Sequence, residues 1–341
     1  MTWTILICTR DRAGLLAETL DSLRRLADPG EPYEVVVVDN GSTDDTRAVV
    51  ERAAAGSPVA LRYVYEPRGG LSAARNRGLR EARGDRIAFT DDDVLVDAGW
   101  LAAFARAFAA RPVDFLGGRV VPRWGAERPG WLPAGRTRGE IWGAIALFDY
   151  GDEPRPLGKP LGANMAFRRA PLLEAGGFRE DLGRDRASLK GQEVPELLER
   201  LKAASGRGGW YVPDAVVQHW IPPDRLTKGY FRRWFYWKGI SRAAVKDRVH
   251  VRGAWLPASQ VRRIAGLPRG LYRDVLEAAG RLAVRAVRGD RAGAFEAEAR
   301  LWYAAGYARA TWFGDPSPTG ASARAAAPGT PGPAAAATRD S

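Results

Sequence analysis

The chain opens with short apolar runs alternating with longer amphipathic stretches. Thr2 to Cys8 predicts a first strand, and Thr9-Arg10-Asp11-Arg12 the polar loop after it. Leu15 to Leu26 is amphipathic and predicts a helix. Glu34-Val35-Val36-Val37-Val38-Asp39 is a continuous β-branched run of the kind buried on both faces of a sheet. Asp39-Asn40-Gly41-Ser42 is a turn, with Ser42, Thr43 or Asp44 available to cap the next helix. A third strand, Leu61 to Tyr65, leads through Gly69-Gly70 into a helix carrying Arg75 and Asn76. Ile87-Ala88-Phe89-Thr90 is a fourth strand, followed by a helix from Gly99 to Ala110 and a strand from Phe115 to Val121. Such alternation predicts an α/β fold with a doubly wound, mostly parallel sheet.

Past Val121 the pattern breaks. Residues 122–160 are rich in Trp, Pro, Gly and Arg, and Trp124, Trp131 and Trp142 would offer aromatic faces for sugar or lipid contacts, or else cap the core. Order returns at Leu161 to Arg169. Pro195 is read as the first position of a helix whose Leu197, Leu198 and Leu201 face inward. Trp210 to His219 reads as two short strands, and Arg225 to about Trp312 as helical. The expected organisation is a catalytic domain over residues 1–222, a basic, aromatic-rich helical extension over 223–314, and a disordered Pro/Ala/Gly-rich tail over 315–341.

Charge and cysteine content narrow the classes. The net charge of +12 on 341 residues is concentrated: Arg225 to Arg291 holds 17 Lys and Arg against 4 Asp and Glu. With the Tyr230 to Trp237 aromatic run, this segment suits peripheral contact with an anionic membrane. No apolar run reaches the roughly 18 residues of a spanning helix, and no secretion signal stands at the N-terminus, so the expected location is cytoplasmic, at most peripheral to the inner face of the cell membrane. The single cysteine, Cys8, cannot form an internal disulfide.

The candidate chemistry centres on Asp91-Asp92-Asp93, three carboxylates at the end of an apolar strand, where open α/β sheets bind their ligands. Carboxylates this close repel one another unless a hard cation intervenes. Mg²⁺ or Mn²⁺ held by one or two of them would keep positions for substrate phosphates. Asp39 could accept a hydrogen bond from a base or ribose, or simply form its turn. His219, closing an apolar strand, could be a metal ligand or a core histidine. Neither the Gly-x-Gly-x-x-Gly fingerprint nor a Gly-Lys-Ser/Thr phosphate loop is present.

Eight stretches in order, Thr9-Arg10-Asp11-Arg12, Val38 to Asp44, Arg75-Asn76-Arg77-Gly78, Asp91-Asp92-Asp93, Gly162 to Arg168, Gly176-Gly177-Phe178, Gly191-Gln192-Glu193 and Val212 to His219, make the chain from Thr2 to His219 resemble the family 2 glycosyltransferases. The resemblance implies the Rossmann-like GT-A fold and transfer of a sugar from a nucleoside-diphosphate-sugar donor to a glycan or lipid-linked acceptor, as in cell-envelope polysaccharide biosynthesis. It implies that Thr9, Arg12, Asp39 and Arg75 line the nucleotide pocket, with Asp91, Asp92 and Asn164 also on the donor. It further implies that Asp91 and Asp93 are the ends of an Asp-x-Asp motif, Asp93 meeting the metal and His219 adding a further ligand. Similar enzymes keep an acid pair ahead of the base-bearing helix, whereas Gln192-Glu193 stands here and Pro195 looks like an insertion. Aligned from Gly191 the base is Glu193; aligned back from Arg200-Leu201 it is Val194, which has no proton acceptor, so Glu193 is preferred. One acid opposite the leaving group implies inversion. Two rival readings are a nucleotidyltransferase, for which Thr9 to Gly14 is a poor glycine-rich signature, and a basic nucleic-acid-binding protein, against which the carboxylate triplet speaks.

Overall fold

The computed structural model describes residues 2–133, 140–184, 188–245, 248–251 and 254–316; the predicted tail beyond 316 lies outside them. Four parallel strands form one half of the main sheet: β1 (Trp3–Thr9), β2 (Tyr33–Asp39), β3 (Leu61–Tyr65) and β4 (Arg86–Asp91), in the order β3-β2-β1-β4. Helices α1 (Ala13–Leu23), α2 (Thr46–Ala55) and α3 (Leu71–Glu81) make the crossovers. After β4 the chain turns through Asp92 and Asp93 into β5 (Val94–Val96), α4 (Trp100–Ala110) and β6 (Phe115–Trp124). A short α5 (Glu140–Gly143) and β7 (Arg155–Leu157) precede β8 (Asn164–Arg168), α6 (Arg169–Glu174), α7 (Glu193–Ser205) and β9 (Gly209–Ile221).

The second half of the sheet is ordered β8-β6-β9-β5. There β8 runs antiparallel between β4 and β6, β9 parallel to β6, and β5 antiparallel to β9. The turn after β4 therefore spans from the middle of the sheet to its far side, and this span makes the site. Residues 210–219 are part of one strand rather than two, with a register shift opposite Gly118 and Arg119.

Period-two alternation fills a core on each face of the sheet. Ile5, Ile7, Val35 and Val37 enter one, Leu6, Val36 and Val38 the other. Full burial of such side chains contributes about 1.5–3 kcal/mol each before conformational entropy is charged against it.

Of the C-terminal helices α8 (Lys228–Ala244), α9 (Arg269–Val287) and α10 (Arg291–Phe313), α8 and α10 enter the first core, and α9 packs on α10 through a separate small cluster of Leu271, Ala304 and Tyr307. Phe231 and Phe235 of α8 and Phe295 of α10 are buried in the first core, and the Trp131 ring lies 5.1 Å from Phe231 and 4.6 Å from Phe295. Helices α8 and α10 cross at Gly239 and Gly306, where a Cβ would come within 2.1 and 1.9 Å of facing carbonyl oxygens. The tryptophans of residues 122–160 accordingly cap the core: Trp142 is buried and Trp124 and Trp131 pack against it. The aromatic run read as membrane-facing also turns inward at Tyr230, Phe231 and Phe235.

Candidate active site

Parallel pairing brings the carboxyl ends of the strands to one edge, with Thr9 opposite Asp39 and Cys8 opposite Asp91. The loop after β1 is tied to the loop after β2. Asp11 Oδ1 accepts from the Thr43 amide at 2.7 Å, the Asp11 amide donates to Ser42 Oγ at 2.9 Å, and the Ala13 amide donates to Asp44 Oδ2 at 2.9 Å. Asp44 thus joins loops and bonds Thr46, and the residue preceding α2 is Asp45, with no side-chain cap. These ties aim Arg12 across the sheet edge at the carboxylates.

A cavity of about 410 Å³ lies over this edge, and one end of it is acidic. Asp92 and Asp93 are buried. Thr9 Oγ1 donates to Asp92 Oδ2 at 2.8 Å, and one Arg12 nitrogen reaches Asp92 Oδ1 and Asp93 Oδ2, both at 2.9 Å. Because β5 pairs with β9, Val94 stands opposite His219, whose Nε2 lies 3.3 Å from Asp93 Oδ1. Burial pushes the Asp92 carboxyl up to about 6, Arg12 pulling against it and Asp93 adding to the rise. For Asp93 burial acts in the same sense, but His219, Arg12 and Arg225 outweigh it and hold the carboxyl well below its ordinary value.

The residues fit a divalent cation. One potential ligand atom each of Asp91, Asp93 and His219 lies within 4.8 Å of the others. Asp93 Oδ1 is buried without a hydrogen bond, an expensive state that coordination would relieve. Carboxylate oxygen with imidazole suits Mg²⁺ less than Mn²⁺, which accepts nitrogen more readily. Asp92 is spent on Thr9 and Arg12 and serves to hold the turn.

Glu193 marks the other end. It is the first residue of α7, so Pro195 is the third and not the first; Pro is tolerated there because the early helical N–H groups have no intrahelical partner. Arg75 donates to Glu193 Oε1 at 2.8 Å from a nearly fully buried position, and the Gln192 amide donates to Oε2 at 3.0 Å. These bonds orient the carboxylate and leave lone pairs for a further donor. Glu196 turns away from the cavity into a two-bond pair with Arg200.

Beside Glu193 stands a basic group that sequence reasoning missed. Lys238 and Arg242 of α8 reach the same Glu140 oxygen at 2.9 and 3.2 Å, and Arg242 Nε donates to Gln192 Oε1 at 3.4 Å. Of this group Lys238 lines the cavity, together with Trp234 and Lys159, and lies 5.0 Å from the Trp234 ring. Burial pulls the Lys238 ammonium down to about 7, Glu140 opposing and Arg242 reinforcing the fall. The one sequence signal was Trp234 and Lys238 at i, i+4; Lys159 and Arg225 gave none.

Of the predicted residues, Thr9, Arg12, Arg75, Asp91, Asp92, Asp93, Glu193 and His219 line the cavity. Asp39 and Asn164 do not. Asp39 is committed to the Ser42 amide and the Tyr63 hydroxyl. Asn164 is wholly buried, accepting from Trp100 Nε1 and donating to the carbonyls of Arg119 and Ala215, so it clamps β8 to its neighbours. Cys8 borders the cavity, but burial pushes its thiol up to about 12, which leaves it unreactive at neutral pH.

Residues 4–172 match the sequence profile of Glycosyl transferase family 2. The chain belongs to this family. This family 2 glycosyltransferase is 26% identical over 245 residues to the glucosyl-dolichyl phosphate glucuronosyltransferase of Haloferax volcanii, covering 70% of this chain and 75% of that protein. It is 26% identical over 253 residues to the succinoglycan biosynthesis protein ExoM of Rhizobium meliloti, covering 73% and 77%. In fold it is similar to the mannosyltransferase PcManGT of Pyrobaculum calidifontis, solved in complex with GDP-Man and Mn²⁺, with a TM-score of 0.50 and 23% identity over 95% of this chain and 78% of that one. The family 2 glycosyltransferase is thus a sugar-transferring enzyme with the GT-A fold.

Proposed function

We propose that this glycosyltransferase moves a sugar from a nucleoside-diphosphate-sugar donor to an acceptor hydroxyl, with a divalent cation at Asp93 and with inversion at the anomeric carbon. The reading rests on one observation: Asp91, Asp93 and His219 share a cavity with the oriented carboxylate of Glu193. Mg²⁺ or Mn²⁺ on Asp93 and His219 would neutralise charge on the leaving diphosphate. Arg12 fixes the Asp92-Asp93 turn, and Arg225, which lines the cavity and helps hold Asp93 ionised, adds positive charge on the same side. Glu193, steadied by Arg75, takes the acceptor proton as the bond to the sugar forms. One base, with no second nucleophile beside it among the described residues, corresponds to direct displacement.

Two relatives bear on the acceptor. The Haloferax protein is named for a dolichyl phosphate-linked substrate and the Rhizobium protein for a polysaccharide, in keeping with a lipid-linked or glycan acceptor here. Catalysis is assigned to residues 1–222, and residues 223–314 form an extension that adds Arg225, Trp234 and Lys238 to the cavity wall. The test is a thermal-shift screen of nucleoside diphosphates with and without Mn²⁺, since a ligand of the folded state raises its Tm. Stabilisation by at least one diphosphate only with the cation is expected; no shift with any of them, or equal shifts without the cation, would defeat the proposal.

Peripheral membrane contact is proposed through α9, because Tyr272, Leu276, Val284 and Val287 expose an apolar face at helical spacing on a basic helix. Among the described residues no helix is long and apolar enough to cross a membrane. Sedimentation with anionic vesicles should fall as salt rises, and absence of binding at low salt would remove the idea.

A further inference from the structure

Glu193 is reached through three consecutive residues, Lys190, Gly191 and Gln192, and all four line the cavity. Each of the three is tied to a different residue of the C-terminal part of the chain. Lys190 Nζ, almost fully buried, lies 2.5 Å from Asp315 Oδ2, just past the end of α10. The Gly191 amide donates to Ser241 Oγ of α8 at 3.3 Å. Ser241 gives its own hydrogen to the Trp237 carbonyl at 2.7 Å, so the lone pairs of its oxygen are what Gly191 meets. Gln192 Oε1 accepts from Arg242 Nε at 3.4 Å, and Arg242 is itself held by Glu140 at 3.2 Å and lies 5.4 Å from the Tyr303 ring of α10. The contacts at Gly191 and Gln192 are long, and each is weak alone. Their convergence with the Lys190 ion pair on consecutive residues makes a mount. The start of α7 has need of one. Leu197, Leu198 and Leu201 anchor the body of the helix in the second core, but no side chain caps its first turn, and Gln192 presents its side-chain oxygen to Arg242 instead. Arg75 bonds one oxygen of the Glu193 carboxylate and the Gln192 amide the other, so the carboxylate moves with the Gln192 backbone. The acidic end is built differently: Thr9, Arg12 and His219, which meet Asp92 and Asp93, all come from residues 1–222.

We propose that Ser241, Arg242 and Asp315 are positioning residues for sugar transfer: acting on Lys190, Gly191 and Gln192, the C-terminal helices and the residues just after them set the Glu193 carboxylate in the cavity. None of the three lines the cavity, so they act on the reaction through the segment they hold. The inference rests on the reading of Glu193 as the base. Its consequence is a division between the two ends. Loosening the mount slows proton removal and leaves the donor, at the acidic end, bound as before. A displacement of about 1 Å at a reacting group can cost about 10²-fold in rate, so contacts that are weak one by one have a measurable effect here.

The experiment uses the full chain with Mn²⁺ and follows diphosphate release from UDP-glucose, UDP-glucuronate and GDP-mannose, keeping the donor turned over fastest. In this hydrolysis water replaces the acceptor: Glu193 takes its proton, the oxygen bonds to the anomeric carbon, and the diphosphate leaves. Glu193→Gln comes first; an unchanged kcat there fails the reading of the base, and the exchange rates below still decide the mount. Asp315→Asn, which removes a partly exposed anion and keeps its shape, Ser241→Ala and Arg242→Gln should each lower kcat about fivefold or more, with donor KM changed less than about twofold. Placed on Glu193→Gln, the same substitutions should lower kcat by less than about twofold further, because no base is left to position. Equal losses with and without Glu193, unchanged kcat in all three variants, or a raised donor KM overturn the proposal. Hydrogen exchange gives a reading that needs no turnover: in Ser241→Ala the Gly191 amide should exchange at least about threefold faster, and the amides of β4 no faster. Unaltered exchange at Gly191 overturns the proposal as well.

Discussion

At the acidic end of the cavity, three consecutive residues arrive at one strand end; Thr9 and His219 are drawn to them from strands whose pairing fixes their distance, and Arg12 from the loop after β1. At the basic end, Glu140, Lys159, Lys238 and Arg242 come from a short helix, a loop and a long helix separated by up to a hundred positions. Both ends bury like charges, yet they resolve the repulsion differently. Asp92 and Asp93 are bridged by a protein cation and still leave an oxygen of Asp93 without a hydrogen bond; Lys238 and Arg242 converge on the same oxygen of Glu140.

The most damaging change should be at the acidic end. Asp93→Ala is expected to lower turnover by about 10³-fold or more, since charge neutralisation by a bound cation is worth several kcal/mol, and to abolish the cation dependence of nucleoside-diphosphate binding. Metal-dependent binding surviving in that variant would place the cation elsewhere. Next comes the carboxylate at the other end. Glu193→Gln keeps an oxygen for Arg75 but removes the proton acceptor, so kcat should fall by about 10²–10⁴, roughly 3 to 5 kcal/mol, with donor affinity little changed. Unchanged kcat would reassign the base.

The basic end offers a pH signature. The Lys238 ammonium is held near 7 in the folded protein against 10.5 ordinarily, with Glu140, Arg242 and Lys159 facing it. The unfolded chain therefore binds more protons than the folded one between these values, and stability should rise with pH from about 7 to 8.5, by at most about 1.4 kcal/mol per pH unit. Below 7 both states are protonated and the slope from this residue vanishes. Denaturant midpoints would show the rise in the wild type and its loss in Lys238→Met; an unchanged slope in the variant would assign it to another group. The smallest effect belongs to Glu196→Gln. It breaks a partly exposed pair with Arg200 and should cost about 1 kcal/mol or less in stability, leaving kcat within about twofold. A large loss of activity there would mean that the register around Pro195 has been misread.

Much of the fold was legible because the signals were local. The Val35 to Val38 run could only be a doubly buried strand, and the alternation of such runs with amphipathic helices dictated the first half of the sheet. The acidic end was legible for the same reason, because adjacency in sequence is itself a statement of proximity. Asn164 and Asp39 do not line the cavity, and local reading could not tell that. Each is a polar residue in a motif, but whether its hydrogen bonds face a ligand or the protein depended on Trp100 and Tyr63, which come from other elements.

By itself, then, the sequence determined the strand-helix order, the candidate site at the carboxyl ends of the strands, and the triplet at its acidic end. Only the tertiary structure decided that β5 crosses to β9 and so sets His219 against Asp93, that Pro195 is the third and not the first residue of α7, and that the aromatic run of α8 turns into the core while its Trp234 and Lys238 reach the cavity. The physical reason is range: propensity and periodicity act over a few residues. An ion pair such as Glu140 with Lys238 exists only once burial has brought together segments that carry no mark of each other.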